Sequence, residues 1–123
     1  MHKRQADPVT VEVVRNLLMS IAEETNTVII KSAYSTNIKE RRDNTTAIMD
    51  PAGNVVIQVE SSIPMLLAAL LFAARSVVSQ YHPEDIHPGD MFIVNDPYHG
   101  GGNHLPDITV VGPVFSNGKL IGW

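Results

Sequence analysis

Residues 65–81 constrain the fold more than any other stretch of this chain. They contain no glycine or proline and are rich in Leu and Ala, residues that favour a helix because they lose little side-chain freedom there. The predicted helix is apolar over most of its surface, so other parts of the protein must cover most of its sides. Its longest apolar run, residues 65–74, falls short of the roughly 20 residues that cross a bilayer. It is expected as a buried helix of a globular domain.

The flanking segments supply what such a helix could pack against. Asp7 suits an N-cap and Pro8 a first helical position, where the missing N–H costs nothing. Val14, Leu17, Leu18, Ile21, Val28 and Ile29 recur at helical spacing, which predicts an amphipathic packing helix over about residues 8–33. In residues 45–60, β-branched and apolar residues flank Asp50-Pro51-Ala52-Gly53-Asn54, a hairpin signature with Val55, Ile57 and Val59 alternating. His82-Pro83 and His87-Pro88-Gly89 end the second helix, and Met91-Phe92-Ile93-Val94 reads as a short strand.

A further strand is expected over residues 108–115, interrupted by Gly112-Pro113, then a tight turn at Ser116-Asn117-Gly118-Lys119 and a returning strand from Leu120 to Trp123. The expected class is α+β: two helices packed on a mainly antiparallel sheet of hairpins. Trp123 would close the last arm with its ring and ladder groups lacking partners, as in a truncated part of a larger domain. With 123 residues and 44% hydrophobic content, one domain over residues 1–123 is the natural unit.

Composition excludes several functions. Nine Lys and Arg against 13 Asp and Glu leave a net charge of −4, and the basic residues are scattered apart from Lys39, Arg41 and Arg42, so neither nucleic acid nor an anionic membrane is an expected partner. The absence of cysteine rules out disulfides, thiolate metal sites and cysteine nucleophiles in this stretch. His2, Lys3 and Arg4 precede Ala6-Asp7-Pro8 rather than an apolar core, which does not read as a secretory signal; a cytoplasmic location is the default.

Chemistry concentrates between two strands, in Asn95-Asp96-Pro97-Tyr98-His99-Gly100-Gly101-Gly102-Asn103-His104-Leu105-Pro106-Asp107. Imidazole with carboxylate suits Mn, Fe or Zn better than Ca. Pro106 biases Leu105 toward an extended or polyproline conformation with three residues per turn, which would project His104 and Asp107 from one side. Two ligands are too few for a durable site; a third would come from His99, Asp96 or elsewhere. The bland reading is that these are ordinary loop residues and that Asp96 caps a turn. The glycines at 100–102 match neither the P-loop nor the dinucleotide fingerprint, since the loop leads into a strand; they could let the backbone approach a metal or substrate, or merely turn the chain.

Outside the loop the signals are weaker. Arg41 and Arg42, within Lys39-Glu40-Arg41-Arg42-Asp43, could hold an anionic substrate group through a guanidinium fork, although a solvated charged turn is the plainer reading. Ser32, Ser35, Ser61 and Ser62 lack a Gly-x-Ser-x-Gly setting, which argues against triad chemistry. His82 and His87 lie beside prolines in a linking turn, and His2 is expected in a loose terminus.

Several segments, in order and over nearly the whole chain, resemble the amino-terminal part of the hydantoinase B/oxoprolinase family: Asp7-Pro8-Val9-Thr10-Val11-Glu12-Val13, Ser32-Ala33-Tyr34-Ser35, Asn37-Ile38-Lys39-Glu40-Arg41-Arg42-Asp43, Pro88-Gly89-Asp90, Asn95-Asp96-Pro97, Gly101-Gly102 and His104-Leu105-Pro106-Asp107-Ile108. That family includes N-methylhydantoinase B subunits, the corresponding half of 5-oxoprolinase, and the alpha subunits of acetone and acetophenone carboxylases. The resemblance implies a fragment of a longer protein that works with a hydantoinase A/oxoprolinase-type ATP-binding subunit or domain in a hetero-oligomer. In the acetone carboxylase branch the matching motif supplies two manganese ligands, with a further His downstream; by position these would be His104 and Asp107. Where relatives commonly carry His-Leu-Gly after Ile-Pro, this chain has Met65 followed by Leu66-Leu67-Ala68, a departure bearing on the site if that His contributes to it.

The implied activity is part of an ATP-dependent hydrolysis of a cyclic amide, a hydantoin or 5-oxoproline ring, at a site holding a divalent metal, Mn first with Zn or Fe as alternatives. Asn95 and Asp96 would then be catalytic candidates and Arg41 and Arg42 substrate-binding ones. The alternatives are a fragment of a ketone carboxylase alpha subunit and a catalytically silent chain.

Overall fold

The computed structural model describes residues 6–61 and 63–123; His2 and Ser62 lie outside them. Helix α1 spans Pro8–Ser32, a short α2 spans Thr36–Arg41, and α3 spans Pro64–Gln80, followed by a 3-10 turn at Pro83–Asp85. The strands are β1 Ala47–Met49, β2 Val55–Gln58, β3 Phe92–Val94, β4 Thr109–Val111, β5 Val114–Ser116 and β6 Lys119–Gly122. The class is α+β as expected, with α2 an addition in the stretch read as a charged turn. The strands pair antiparallel in three two-stranded ladders, β1 with β2, β3 with β4, and β5 with β6.

Local chemistry explains most element boundaries. Asp7 caps α1 by accepting from the N–H groups of Val9 and Thr10, with Pro8 at the first helical position. The β1–β2 turn is built on Asp50, whose carboxylate accepts from Ala52 N, Asn54 N and the Asn54 amide. Those bonds, the Asn54 side chain's foremost, hold the Asp50 carboxyl below its usual range. Asn117 and Gly118, at φ 50° and 73°, form the turn between β5 and β6, and two successive positive φ values are what a tight hairpin of this twist demands. Gly112-Pro113 breaks the predicted strand into β4 and β5, and each half pairs with a different partner.

Two findings depart from the sequence reading. The apolar residues chosen for the buried face of α1 are largely exposed, Leu17 at 59% and Val28 at 59%; the buried line is instead Ala22, Asn26 and Ile30, with Leu18 and Met19 half-covered. Small Ala22 lets the helix approach the hairpin closely, and the buried Asn26 accepts a hydrogen bond from Asn44 at 2.6 Å, which satisfies its carbonyl inside the packing. Trp123, expected without partners, is 7% exposed. Its N–H and C=O exchange hydrogen bonds with Met49 at 2.9 and 2.8 Å, and its indole N–H donates to Pro51 O at 3.1 Å.

Two apolar clusters result. Met49, Ala73, Ala74, Val77, Ile86, Val111 and Trp123 pack between α3 and the strands, and Ala22, Ile57 and Val59 pack under α1. The first is lined by an aromatic row, Tyr81 to Phe92 at 4.6 Å and Phe92 to Trp123 at 6.0 Å between ring centroids. The cover expected for α3 is one-sided in the described chain: Ala69, Ala73, Ala74, Ser76 and Val77 are buried, whereas Met65 and Phe72 are more than half exposed. No helix among the described residues is long and apolar enough to cross a membrane.

Val59 is fully buried and Val56 is half exposed on the same arm. Val59→Ala should therefore lower unfolding stability by about 2 kcal/mol through lost burial and a residual cavity, whereas Val56→Ala should change it by no more than about 0.5 kcal/mol, both read from urea midpoints.

Candidate functional site

The loop between β3 and β4 leaves one strand of a ladder and returns to the other, with Val94 opposite Thr109. Its span resolves into two turns, each closed by its own backbone hydrogen bond. In the first, Gly100 N donates to Asp96 O at 2.9 Å; in the second, Asp107 N donates to His104 O at 3.0 Å. Each turn brings a histidine and an aspartate three residues apart onto one side.

In the first turn Asp96 does two jobs. One carboxylate oxygen accepts from Tyr98 N at 2.8 Å, and the other lies 2.9 Å from His99 Nδ1. The Tyr98 N–H, then the His99 ring, hold the Asp96 carboxyl below its ordinary value of 3.8. A carboxyl lowered on folding favours the folded loop at pH above its unfolded value and ceases to do so as pH falls through the folded one. In the second turn His104 Nε2 lies 3.6 Å from Asp107 Oδ1, and Asn103 Nδ2 donates to the other Asp107 oxygen at 3.4 Å. Asn95 Nδ2 donates to Leu105 O at 3.3 Å and so ties the end of β3 to this second turn.

The His104 and Asp107 side chains share a side as the sequence spacing implied, but by a different route. The polyproline segment expected at Leu105-Pro106 is a tight turn, because the Asp107 N–H finds a local acceptor in His104 O that an extended chain could not offer. Two donors bonded to one ion at about 2.1 Å in tetrahedral array stand roughly 3.4 Å apart, so a 3.6 Å separation fits a shared divalent ion after a small adjustment. Among the described residues no group of three or more His, Asp or Glu is placed to hold a metal. His99 is committed to Asp96 rather than turned to the second pair.

The glycines have a packing role that the sequence alone did not reveal. Gly101, at φ +75°, sits so close to Phe72 of α3 that a Cβ would collide with that side chain's own Cβ; at Gly100 a Cβ would collide with Val94. Gly102 has open space, with nothing nearer than 3.9 Å. Gly100 and Gly101 therefore seat the loop on its own scaffold, where no other residue fits.

Beside the first turn lies a cleft of about 340 Å³, at the small end of the range typical of small-molecule sites, roughly 300–1,000 Å³. Asn95, Asp96, His99 and Gly100 line it from the loop and Ser76, Gln80 and Tyr81 from α3 and its end, whereas His104 and Asp107 are not part of its wall. Arg41 and Arg42 end α2, with Arg42 in the left-handed region at φ 58°; both side chains are exposed, and neither has a hydrogen bond or ion pair to a described residue of the 95–107 loop. His87 Nδ1 lies 3.8 Å from Asp90 Oδ2, which also accepts from the His87 backbone N–H at 2.7 Å.

The loop that carries these pairs lies within a sequence match to the hydantoinase B/oxoprolinase family extending over residues 7–123. The chain belongs to that family. It is 39% identical over 95% of its length to an uncharacterized protein of Methanocaldococcus jannaschii, of which it covers 21%. It is 37% identical over 94% of its length to 5-oxoprolinase 1 of Arabidopsis thaliana, covering 9% of that protein. It is also 29% identical over 98% of its length to the B subunit of a putative D-/L-hydantoinase from a Pseudomonas species, covering 20% of it. The chain thus spans about a fifth or less of the curated relatives it matches. No solved structure matches it.

Two outcomes follow from the loop geometry. Gly101→Ala should cost about 1–3 kcal/mol through strain and overpacking against Phe72, while Gly102→Ala should be near neutral, as thermal melts of the two variants would record. The Tyr98 amide resonance should titrate with the Asp96 carboxyl at a midpoint below 3.8, and Asp96→Asn should abolish that titration.

Proposed function

We propose that this chain forms part of an ATP-dependent cyclic amide hydrolase acting on a hydantoin or 5-oxoproline ring. The observation that carries the reading is the similarity to a 5-oxoprolinase across 94% of the chain, spanning a loop that holds two His–Asp pairs beside a cleft of small-molecule size. Residues 1–123 then serve as the amino-terminal part of the hydantoinase B/oxoprolinase domain, paired with an ATP-binding subunit or domain of the hydantoinase A type in a hetero-oligomer. ATP phosphorylates the ring carbonyl in that partner, and this site receives the activated ring. An assembly that consumes ATP in this way would work in the cytoplasm, where ATP is supplied.

His104 and Asp107 are the residues that would hold a divalent ion, manganese first and zinc or iron as alternatives, with a third ligand outside the described pair. Once bound, the ion supplies Lewis-acid stabilisation of negative charge developing on oxygen. Asn103 steadies the Asp107 carboxylate and Asn95 anchors the turn that presents both, so Asn95 acts by positioning. Asp96 enters the chemistry through His99. Arg41 and Arg42 remain candidates for an anionic substrate group, supported by the exposure of both side chains.

Metal analysis and turnover test this reading together. The intact protein should carry stoichiometric metal that His104→Ala and Asp107→Ala each lose, and full metal in both variants would sink the ligand assignment. With the partner present, 5-oxoproline or a hydantoin should stimulate ATP hydrolysis. Stimulation by acetone alone would move the protein to ketone carboxylation, and stimulation by none of the three would favour a silent chain.

A further inference from the structure

We infer that His99 is the proton-transferring base of the 340 Å³ cleft, with Asp96 a positioning residue that acts through it. The inference deepens the cyclic-amide reading and takes its substrate from it. Three observations converge on His99. Its Nδ1 is engaged by Asp96 Oδ2 at 2.9 Å, and a carboxylate can only accept, so in the neutral ring the proton sits on Nδ1 and Nε2 is left as a free lone pair. Nε2 has no partner among the described residues, and the side chain is 82% exposed, open to a substrate or water entering the cleft. Asp96 is itself fixed by the Tyr98 N–H, so the orienting group does not swing with the ring it orients.

The rest of the cleft wall suits this assignment. The titratable groups facing His99 are Asp96 from its own loop and Tyr81 from the end of α3; β3 contributes only apolar side chains and Asn95 follows it. Ser76 and Gln80 of α3, joined by a 2.7 Å hydrogen bond, line the same cleft with neutral polar groups. Among the described residues, no Lys or Arg lines the cleft to compete for the Asp96 carboxylate.

The step balances as an addition of water across the C=N bond of the O-phosphorylated ring. His99 Nε2 takes one proton from water as the oxygen bonds to the activated ring carbon, and the electron pair of the C=N π bond moves onto the ring nitrogen. The imidazolium then returns the proton to that nitrogen, so the ring gains OH at carbon and H at nitrogen while the histidine ends neutral. Asp96 stabilises the imidazolium between the two transfers and is not itself protonated.

The test uses the full-length protein with its partner and compares His99→Gln and Asp96→Asn with wild type. His99→Gln should lower kcat about 100-fold or more, the usual scale for loss of a general base, with KM within about threefold and metal content unchanged. Asp96→Asn should lower kcat and shift neutral His99 toward the Nε2–H tautomer in ¹⁵N spectra. Wild-type kcat in His99→Gln, loss of its metal, or an Nε2–H tautomer in the wild type would each overturn the assignment. If the protein turns over a ketone and no cyclic amide, the substrate reading falls while the same variants still decide the role of His99 on that substrate.

Discussion

The pair of backbone hydrogen bonds between Met49 and Trp123 holds together two ladders that would otherwise be separate, and much of the remaining packing depends on it. Reciprocal N–H to C=O exchange is the closely bonded pairing of antiparallel strands, so it extends the β1–β2 hairpin onto the end of β6. Gly122 makes the approach possible, since a Cβ there would collide with Met49 O. With the backbones locked, Trp123 reaches Phe92 and the indole finds Pro51 O, and one cluster gathers residues from β1, α3, β4 and the segment after the 3-10 turn.

That cluster positions the candidate site. Phe92 and Val111 belong to β3 and β4, whose far ends are joined by the loop bearing both His–Asp pairs, so packing on the ladder fixes where the loop starts and stops. Gly100 and Gly101 then lay the loop's middle against Val94 and Phe72, dividing it into two turns that cannot slide along α3. The cleft wall is correspondingly composite, with an acid and an imidazole from a turn and neutral polar groups from a helix. Placing candidate site residues on short turns anchored to rigid elements is a common compromise between reach and preorganisation.

Much of this was legible in the residues. Asp7-Pro8 marks a helix start because an extended carboxylate can satisfy orphan N–H groups and proline costs nothing there; α1 begins where that logic puts it. Asp50 to Asn54 and Asn117-Gly118 specify turns through local hydrogen bonding and positive φ, and both hairpins form on them. The projection of His104 and Asp107 from one side was equally readable, although the tight turn that produces it was not. Less legible was the face of α1 that is buried, because a helix rich in Val, Leu and Ile on several sides offers more than one stripe and only the shape of the hairpin beneath selects Ala22, Asn26 and Ile30.

Sequence by itself therefore determined most of the elements and their breaks, since these depend on interactions a few residues long. Tertiary structure alone decided which donor met which acceptor. Asp96 could serve Tyr98 N, His99 or an ion, and its commitment to the first two follows from a turn pinned by Gly100 and Gly101 against the scaffold. Trp123 likewise carries no local sign of a partner, for its indole hydrogen bond closes to a residue 72 positions away, and contacts at that range exist only once the chain has folded.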